Sequence, residues 1–294
     1  MSDLPLISVC IPTYNGEKYL QETLESIQLQ TYSNVELIIS DDSSIDKTLD
    51  IIKKFKVISK YPVFLYHHNP TGIGSNWNNC IKKANGELIK FLFQDDVMEY
   101  NCLERMVSVY NKNPQAGLIA SKRSFIVEKN VIGEITNNWI EKYRDLQIGL
   151  QHQKADILIL DKAVFKRSDF RKSPLNKIGE PSVVLFRKDI VNQIGYFRAD
   201  LKQILDYEYW YRILKRNTIV IINEQLVRFR IHEDQATNVN REKAINDYSL
   251  YDKILYKEYF NLLSEENKLR LRHKFSLIMR INRKLLTLFS LNQK

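Results

Sequence analysis

The feature that most constrains the fold is a regular alternation of strand and helix patterns in the first third of the chain. Apolar, β-branched runs occur at residues 6–12, 35–40, 63–68 and 87–93. Three amphipathic stretches separate them: one after the Asn15-Gly16 turn, one from Ser43 or Ser44 to Phe55, and one from Gly72 to Ala84. Continuous apolar strands joined by helices are typical of a parallel sheet covered on both faces. The sequence therefore predicts an α/β fold.

Beyond Tyr100 the alternation is less regular. A helix is predicted from Cys102 to Asn111, and strands at 117–121 and 124–135. Further on, the patterns predict a strand and helix ending at Gly195, an amphipathic helix beginning at "LDYEYWYRILKR", and two short strands within 218–232. Residues from about 241 onward are predicted to be helical, and the polar stretch 137–180 is left unassigned.

Size and composition favour one large domain with a smaller appendage. The chain has 294 residues, of which 44% are hydrophobic, enough for a substantial core. Its cysteines, Cys10, Cys80 and Cys102, are too few and too scattered for a disulfide framework or a zinc site, so we expect buried thiols in a reducing compartment. Neither a signal peptide nor an apolar run of ~20 residues is recognised, which predicts a cytoplasmic protein.

The positive charge is concentrated at one end of the chain. Residues 268–294 contain eight Lys or Arg and no Asp or Glu, whereas the remainder has 36 Lys or Arg against 35 acids. The net charge of +9 therefore belongs mainly to this basic tail. Proteins that bind nucleic acid usually spread such charge over a folded face, so the pattern disfavours that function for the main domain.

Two pairs of adjacent acids follow predicted strands. Asp41 and Asp42 come directly after the second strand, and Asp95 and Asp96 follow the fourth. Because ligands of open parallel sheets bind at the carboxyl ends of the strands, both pairs are expected at one edge. Crowded carboxylates raise each other's pKa, and a divalent cation with phosphate oxygens relieves this repulsion. The alternative is that these acids only form turns and helix caps.

Five stretches of the sequence together resemble the family 2 glycosyltransferases, which have the GT-A fold. They are "SVCIPTYNGEKYLQETLESIQLQTYSNVELIISDDSSIDKT", "NPTGIGSNWNNCIKKANGELIKFLFQDD", "EPSVVLFRK", "LDYEYWYRIL" and "FRIHEDQAT", within about residues 5–238. The resemblance implies a Rossmann-like, mostly parallel sheet flanked by helices. It also implies an enzyme that moves a sugar from a nucleotide-diphosphate donor, usually with inversion.

The resemblance divides the chain into a catalytic domain and an extension. The catalytic domain is expected at 1–240, with a nucleotide-binding half at about 1–100 and an acceptor half at about 101–240. A basic helical extension is expected at 241–294.

The resemblance also implies the residues that bind the donor. Nucleotide contacts are expected from Pro12, Tyr14, Asn15, Asp41, Asp42, Asn76 and Asp95, with Asp41 accepting a hydrogen bond from the base. Asn76 and Asn78 stand where the family often has an Arg-Asn pair. Phe93 replaces the first acid of the fuller metal motif. Asp95 and Asp96 then divide the ribose and metal contacts, with Mn²⁺ or Mg²⁺ as the cofactor.

The catalytic base implied by the resemblance is Asp206. An inverting displacement needs a carboxylate that takes the proton of the acceptor hydroxyl. Asp206 begins a predicted helix, whose dipole is expected to keep it ionised, and Glu208 is expected to point elsewhere. His232 is a candidate ligand of the metal or the diphosphate.

Other residues near these motifs have weaker assignments. Arg228 and Arg230 are expected to face either the diphosphate or solvent, and Gln235 to help close their loop. His67 and His68 are interpreted as structural.

The basic tail has the pattern of an amphipathic helix. Leu271, Phe275, Ile278, Leu285 and Phe289 share one stripe, and Arg272, Arg280, Arg283 and Lys284 lie largely opposite. Such a helix lies on an anionic membrane surface or packs its stripe on the domain. Membrane contact fits a glycan or lipid-linked acceptor in the synthesis of a cell-surface polysaccharide, such as lipopolysaccharide or capsule.

Alternative functions fit the sequence less well. A nucleotidyltransferase normally has a Gly-rich loop with a basic residue after the first strand, and "IPTYNGEKYL" lacks one. A dinucleotide-dependent dehydrogenase needs G-x-G-x-x-G at that point. A degenerate transferase is disfavoured by the intact acids at 41, 95, 96 and 206. The remaining alternative is a non-catalytic nucleic-acid or membrane-binding protein that uses the basic C-terminal helices.

Overall fold

A nine-stranded mixed sheet, covered by helices, organises the molecule. The computed structural model describes residues 4–150, 155–235 and 245–276. The strands are β1 (Ile7–Thr13), β2 (Val35–Asp41), β3 (Val63–His67), β4 (Leu88–Phe91), β5 (Val97–Met98), β6 (Ala116–Val127), β7 (Ile157–Leu160), β8 (Val184–Arg187) and β9 (Thr218–Ile231). Their order across the sheet is β3-β2-β1-β4-β8-β6-β9-β5, and β7 pairs with β9 at the side of this path.

Nine α-helices are present in the described part of the chain. They are α1 (Leu20–Gln28), α2 (Thr48–Ile58), α3 (Ile73–Lys83), α4 (Cys102–Lys112), α5 (Glu134–Tyr143), α6 (Ile190–Ile194), α7 (Leu205–Leu214), α8 (Asp247–Ile254) and α9 (Glu265–Phe275). Short 3₁₀ turns and one π turn complete the connections.

The first half of the sheet confirms the alternation seen in the sequence. Strands β3, β2, β1 and β4 are all parallel, and β1 and β2 are buried almost throughout. The register pairs Thr13 with Asp41 at the last positions of β1 and β2. The loops that follow these two strands therefore start side by side at the carboxyl edge of the sheet.

The second half differs from the sequence prediction in two places. The segment 218–231 is one long strand rather than two, because β9 runs parallel to β6 and absorbs irregularities through register shifts near Ser121–Arg123. Its first part pairs with β7 and its last part with β5. The predicted strand at 124–135 is wrong beyond Val127, where the chain forms a 3₁₀ turn and then α5.

An aromatic cluster joins the two halves of the sheet. Phe91 on β4 stacks on Phe186 of β8 at 6.3 Å between ring centroids, and Phe186 contacts Trp210 of α7 at 6.0 Å. Phe197 stacks on Tyr209 at 4.0 Å. All five rings are buried, so α7 is packed firmly against the sheet. The three cysteines are buried and free, as predicted.

The described part of the C-terminal extension packs on the domain. Leu271 of α9 is fully buried in the main core, and Phe275 packs against that core. The Asn267 amide donates a hydrogen bond to the Arg167 carbonyl at 3.2 Å. The rest of the predicted stripe, from Ile278 to Phe289, lies outside the described residues. Within the described ranges, no helix has the length and apolar character needed to cross a membrane.

Candidate active site

The buried carboxylate of Asp41 joins the end of β1 to the loop that follows β2. Asp41 is fully buried, and its Oδ1 accepts hydrogen bonds from the hydroxyls of Thr13 at 2.8 Å and Ser44 at 2.6 Å. Its Oδ2 accepts from the Ser44 N–H at 2.9 Å. The carboxylate faces inward and three of its about four acceptor positions are occupied, so the geometry favours a structural role for Asp41 over the expected contact with a nucleotide base, which stays a prediction.

Asn15 extends the connection between these loops. It adopts a left-handed conformation (φ 47°), which Asn tolerates better than most residues. Its N–H donates to the Ser44 hydroxyl, and its Oδ1 accepts from the Ile45 N–H, both at 2.9 Å. Tyr14 is left mostly exposed and Pro12 partly buried. The predicted nucleotide-binding residues 12, 14 and 15 therefore lie together, at the end of β1 and in the hydrogen-bonded loop that follows it.

Asp42 is the acid of this pair that reaches the surface. Its Oδ1 lies 2.6 Å from Nδ1 of His68, and both side chains are partly exposed. The Asp42 N–H donates to the Thr13 carbonyl, which fixes the acid at the carboxyl edge of the sheet. His68, interpreted from the sequence as structural, thus contacts a predicted site residue. Its place at the end of β3, next to β2, was the available signal.

The two asparagines of α3 have different surroundings. Asn76 is buried beside β1, with its amide 3.5 Å from the Thr13 carbonyl, and its Oδ1 has no hydrogen-bond partner among the described residues. Asn78 exchanges two hydrogen bonds of 2.9 Å with the backbone of Phe197. Asn78 therefore stabilises the fold, whereas Asn76 lies at the base of the predicted nucleotide pocket.

Gln94 connects the acidic loop after β4 to the loop after β1. Its side-chain amide exchanges two hydrogen bonds with the backbone of Tyr14, of 2.9 and 3.0 Å. Glycine suits position 16, where these loops meet, since a Cβ there would displace the Gln94 side chain from its contacts with Tyr14. Gln94 had no predicted role, because its contacts with Tyr14 join loops that are 80 positions apart in the chain.

Asp95 and Asp96 lie in different environments. The Asp95 carboxylate is partly exposed, and its Oδ2 is 3.0 Å from His232 Nε2. Asp96 is buried, and its Oδ1 accepts a hydrogen bond from the Arg230 N–H at 3.0 Å. Burial, followed by the charge of Asp95, raises the pKa of Asp96 well above its ordinary value. The structure thus brings Asp95 and His232 together, and it turns Asp96 inward.

The buried side chain of Arg230 stabilises the acidic loop that follows β4. Its guanidinium is buried, donates to the Asp95 carbonyl at 2.9 Å, and forms ion pairs with Glu22 and Glu128. The expectation that Arg230 faces the diphosphate or solvent is wrong, because the folding of β9 against the acidic loop buries it. Gln235 accepts from the His232 N–H and donates to the Arg230 carbonyl, which confirms its predicted place in the loop.

The donor set at Asp95 and His232 fits a divalent cation that is completed by phosphate. A partly exposed carboxylate and an imidazole nitrogen 3.0 Å apart supply two ligands. No group of three or more His, Cys, Asp or Glu in metal-binding geometry occurs within residues 4–150, 155–235 and 245–276. Mg²⁺ and Mn²⁺ sites in nucleotide enzymes commonly use one or two protein ligands and fill the remaining positions with phosphate and water.

Asp206 lies in the first turn of α7, far from the acidic loop in the sequence. It is partly buried, and its Oδ2 accepts a hydrogen bond of 2.9 Å from the Asn176 amide. Burial, with a smaller effect from the charge of Glu180, raises the pKa of Asp206 to about 7. Desolvation therefore outweighs the effect of the helix dipole, so Asp206 is held in its ionised form less firmly than the sequence predicted. Glu208 points away and pairs with Arg212, as predicted.

Asn176 also stabilises the turn at residues 176–179. Its Oδ1 accepts from the N–H groups of Ile178 and Gly179, and its amide donates to the Gly179 carbonyl. At the other end of this segment, the Ser182 hydroxyl accepts from the Phe93 N–H at 3.0 Å. Asn176 belongs to the stretch 137–180, which periodicity leaves unassigned, so the sequence gives it no role.

The comparison with protein families agrees with this arrangement. The family model described as glycosyl transferase family 2 matches residues 8–173, more than half of the chain. The chain belongs to glycosyl transferase family 2. The resemblance stated from the sequence motifs is confirmed, and the chain is a transferase. The match spans the loops after β1, β2 and β4 described above.

Relatives in other organisms agree with this assignment. An uncharacterized glycosyltransferase of Rickettsia typhi is 26% identical over 274 residues, which is 92% of this chain and 77% of that protein. One from Methanocaldococcus jannaschii is 26% identical over 264 residues, 88% and 82% of the two chains.

The fold is shared with solved transferases. Staphylococcus aureus TarS 1–349 in complex with UDP-GlcNAc gives a TM-score of 0.66 at 20% identity, over 92% of this chain and 73% of that one. The mannosyltransferase PcManGT of Pyrobaculum calidifontis, in complex with GDP-Man and Mn²⁺, gives 0.55 at 14% identity, over 100% and 82%. The GT-A fold expected for this glycosyltransferase is confirmed.

Proposed function

We propose that this glycosyltransferase moves a sugar from a nucleotide-diphosphate donor to a hydroxyl of a glycan or lipid-linked acceptor, with inversion. The observation that carries the proposal is the pairing of two sites. One consists of the partly exposed carboxylate of Asp95 and the largely buried imidazole of His232, at the donor edge. The other is an aspartate, Asp206, whose raised pKa suits proton transfer near neutral pH.

A UDP-sugar is the first candidate donor. The TarS structure with UDP-GlcNAc supports this choice, and the PcManGT structure with GDP-Man makes GDP the second candidate. We place the nucleoside against the loop of Pro12, Tyr14 and Asn15, with Asp42 and Asn76 at the base of the pocket. Asp41 then acts indirectly, because its carboxylate holds the loop that presents Asp42 and Ser44.

We place a divalent cation at Asp95 and His232. Bound there, Mn²⁺ or Mg²⁺ would neutralise charge on the leaving diphosphate. Asp95 is the acid of the pair that reaches the pocket, while buried Asp96 accepts the backbone N–H of Arg230 and keeps the loop in shape. Tyr19 packs against the His232 ring at 4.8 Å between centroids, which fixes the orientation of the imidazole.

Asp206 is the proposed general base. The acceptor oxygen attacks the anomeric carbon, the bond from that carbon to the diphosphate oxygen breaks, and the nucleoside diphosphate leaves. The proton of the acceptor hydroxyl passes to a carboxylate oxygen of Asp206. With a pKa of about 7, Asp206 is a stronger base than an exposed aspartate and is still substantially ionised at neutral pH. Asn176 holds one of its oxygens in place.

The test is a calorimetric titration of UDP, GDP and dTDP, with and without Mn²⁺. We expect metal-dependent binding of one nucleotide to the wild type and loss of the metal dependence in Asp95→Asn. Asp50→Asn, at an exposed position of α2, is the matched control and is expected to bind like the wild type.

Three results separate the parts of this proposal. Metal-independent binding that Asp95→Asn weakens would assign Asp95 to a direct nucleotide contact instead. Equal binding by wild type and Asp95→Asn would remove Asp95 from the site. Binding of none of the three nucleotides would contradict the proposed function as a whole.

We further propose that the enzyme works at an anionic membrane surface, in cell-surface polysaccharide synthesis. The support is the excess of basic residues in the tail, where a basic residue near such a surface is worth on the order of 1 kcal/mol. Lys268, Arg270 and Lys274 pair with acids of the folded chain and are left out of this support. Co-sedimentation with vesicles containing anionic lipid, compared with zwitterionic vesicles, measures this directly. Equal binding to both, or to neither, would contradict it.

A further inference from the structure

The segment Asn176–Ser182 connects Asp206 to the acidic loop after β4 through hydrogen bonds at both of its ends. Asn176 donates to Asp206 Oδ2 at one end, and Ser182 accepts from the Phe93 N–H at the other. Glu180 lies between these two anchors, and its charge acts on both Asp206 and Asp96. In the proposed function, the sugar moves from a diphosphate at Asp95 to an acceptor at Asp206, and this segment contacts both the acidic loop and Asp206.

Arg123 on β6 fixes the position of Glu180. The Arg123 side chain is 4% exposed, and its Nε lies 2.9 Å from Oε2 of Glu180. Its Nη2 donates to the Tyr143 carbonyl at the end of α5, at 3.0 Å. The guanidinium also lies 5.0 Å above the ring of Phe125. A planar guanidinium with three such contacts has little freedom, so it orients the carboxylate that it binds.

Glu180 remains accessible despite this pairing. Its side chain is 20% exposed, five times the fraction of its partner Arg123. An ionised carboxylate has about four acceptor positions, and one ion pair leaves acceptor capacity on the exposed side. Hydroxyl groups donate to such oxygens in short, charge-assisted hydrogen bonds. An oriented, accessible carboxylate between the leaving group and the base is suited to bind a sugar.

We propose that Glu180 binds hydroxyl groups of the transferred sugar and thereby helps to select the donor, and that Arg123 positions it. The inference rests on the proposed function, since it assumes that the sugar lies between Asp95 and Asp206. Hydrogen bonds to charged groups that are lost without replacement reduce affinity by about 10- to 100-fold. The loss should concern the sugar and spare the nucleotide.

The charge of Glu180 gives a second readout at Asp206. It raises the pKa of Asp206, after the larger effect of burial. The tyrosines 207, 211 and 248 also face Asp206, but their own pKa values are raised, so they stay neutral in the working range. Removing the Glu180 charge should therefore lower the pKa of Asp206 and move the acid limb of the pH–rate profile to lower pH.

The experiment compares nucleotide sugars with their bare nucleotides on the full-length protein. UDP, UDP-GlcNAc, UDP-glucose, UDP-galactose, GDP and GDP-mannose are titrated into wild type, Glu180→Gln and Glu180→Asp. For the preferred donor, both variants should lose about tenfold or more in affinity relative to the bare nucleotide, whose affinity is unchanged. Glu224→Gln, which alters the Arg105–Glu224 ion pair, is the matched control and should keep the wild-type ratio.

Donor hydrolysis, measured between pH 5 and 9, provides the pH profile. Wild-type selectivity in Glu180→Asp or Glu180→Gln would overturn the inference. So would an equal loss of affinity for the nucleotide and the nucleotide sugar with a lower melting temperature, because Glu180 would then be a structural ion pair. If the wild type binds none of the nucleotides, the proposed function itself fails; if it binds them and the ratio does not change, only the role of Glu180 fails.

Discussion

Asp41 and Asp206, on the two sides of the candidate active site, differ in how their carboxylates are hydrogen-bonded. In the donor-side loops, residues 13–16 and 41–48, Asp41 is fully buried and accepts three hydrogen bonds, from Thr13 and twice from Ser44. On the transfer side, residues 176–182 and the start of α7, Asp206 accepts one from the Asn176 side chain. Its Oδ1 is buried with no hydrogen-bond partner among the described residues.

This difference separates a structural acid from a reactive one. A buried charge with all its oxygens satisfied stabilises the loops around it. A buried charge with an unsatisfied oxygen is costly, and the cost appears as a stronger affinity for a proton. In the proposed mechanism, an aspartate at the end of β2 therefore shapes the donor pocket, and another on α7 accepts a proton.

The largest effect is expected for Asp206→Asn. The amide keeps the shape of the side chain but cannot accept the proton, so turnover should fall by about 10²- to 10⁴-fold. Nucleotide affinity should stay at the wild-type level, because Asp206 belongs to the transfer side. Release of labelled sugar from the preferred donor measures the first quantity and calorimetry the second. Retained turnover would contradict the assignment of the base.

The same variant should change how stability depends on pH. The pKa of Asp206 is about 7 in the folded protein, against about 3.9 for an unperturbed aspartate. Between these values the folded state holds a proton that the unfolded state has lost, so this contribution is fully present below pH ~4 and disappears as the pH rises through ~7. Asp206→Asn should gain stability relative to wild type over that range, by at most about 4 kcal/mol.

Urea denaturation of wild type and variant at several pH values between 4 and 8 measures this difference. A constant difference in the free energy of unfolding across the range would show that folding does not raise the pKa of Asp206. It would then contradict the assignment of Asp206 as the proton-accepting acid.

Asp41→Ala should weaken the donor side mainly through stability. It leaves the Thr13 hydroxyl and the Ser44 N–H without their acceptor, at a cost of about 3 kcal/mol in the free energy of unfolding. Nucleotide affinity should fall as well, because the loop loses its anchor. Asp50→Ala on α2, where the side chain is mostly exposed, should cost less than about 0.5 kcal/mol in the same denaturation experiment. Equal losses in the two variants would contradict the structural role of Asp41.

The smallest effect is expected for Gly16→Ala. The added Cβ would meet the Gln94 side chain at 2.4 Å, and Gln94 would have to release Tyr14. Since the end of a flexible side chain can move, we expect a cost of about 1 kcal/mol in stability and a several-fold weaker binding of the nucleotide. Unchanged nucleotide affinity would show that the link between Gln94 and Tyr14 does not shape the pocket.

The predictability of the fold followed the regularity of the sequence pattern. The parallel strands β1 to β4 and the helix α3 were assigned within one to three residues, because continuous apolar runs and helical spacing are local signals. The single long β9 was read as two strands, since Asn223, Glu224 and Gln225 look like a turn. Pairing with β6 on one side and with β7 and β5 on the other keeps the backbone extended there.

The sequence motifs were sufficient to identify the family and to place the acids near one edge of the sheet. The resemblance assigned the contact with the base to Asp41 and left Asp95 and Asp96 undivided, because adjacent residues at the end of a strand carry the same local signal. Tertiary contacts decide which carboxylate faces inward: Thr13 and Ser44 bind Asp41, and the Arg230 N–H binds Asp96.

The sequence by itself determined the family, the α/β alternation and Asp206 as the candidate base. Only the tertiary structure decided the state of that base, because its pKa depends on desolvation by residues distant in the chain and on the charge of Glu180. The partners of Asp206 and Asp95, Asn176 and His232, are likewise 30 and 137 positions away. Burial and long-range contacts are properties of the folded chain, and no local pattern contains them.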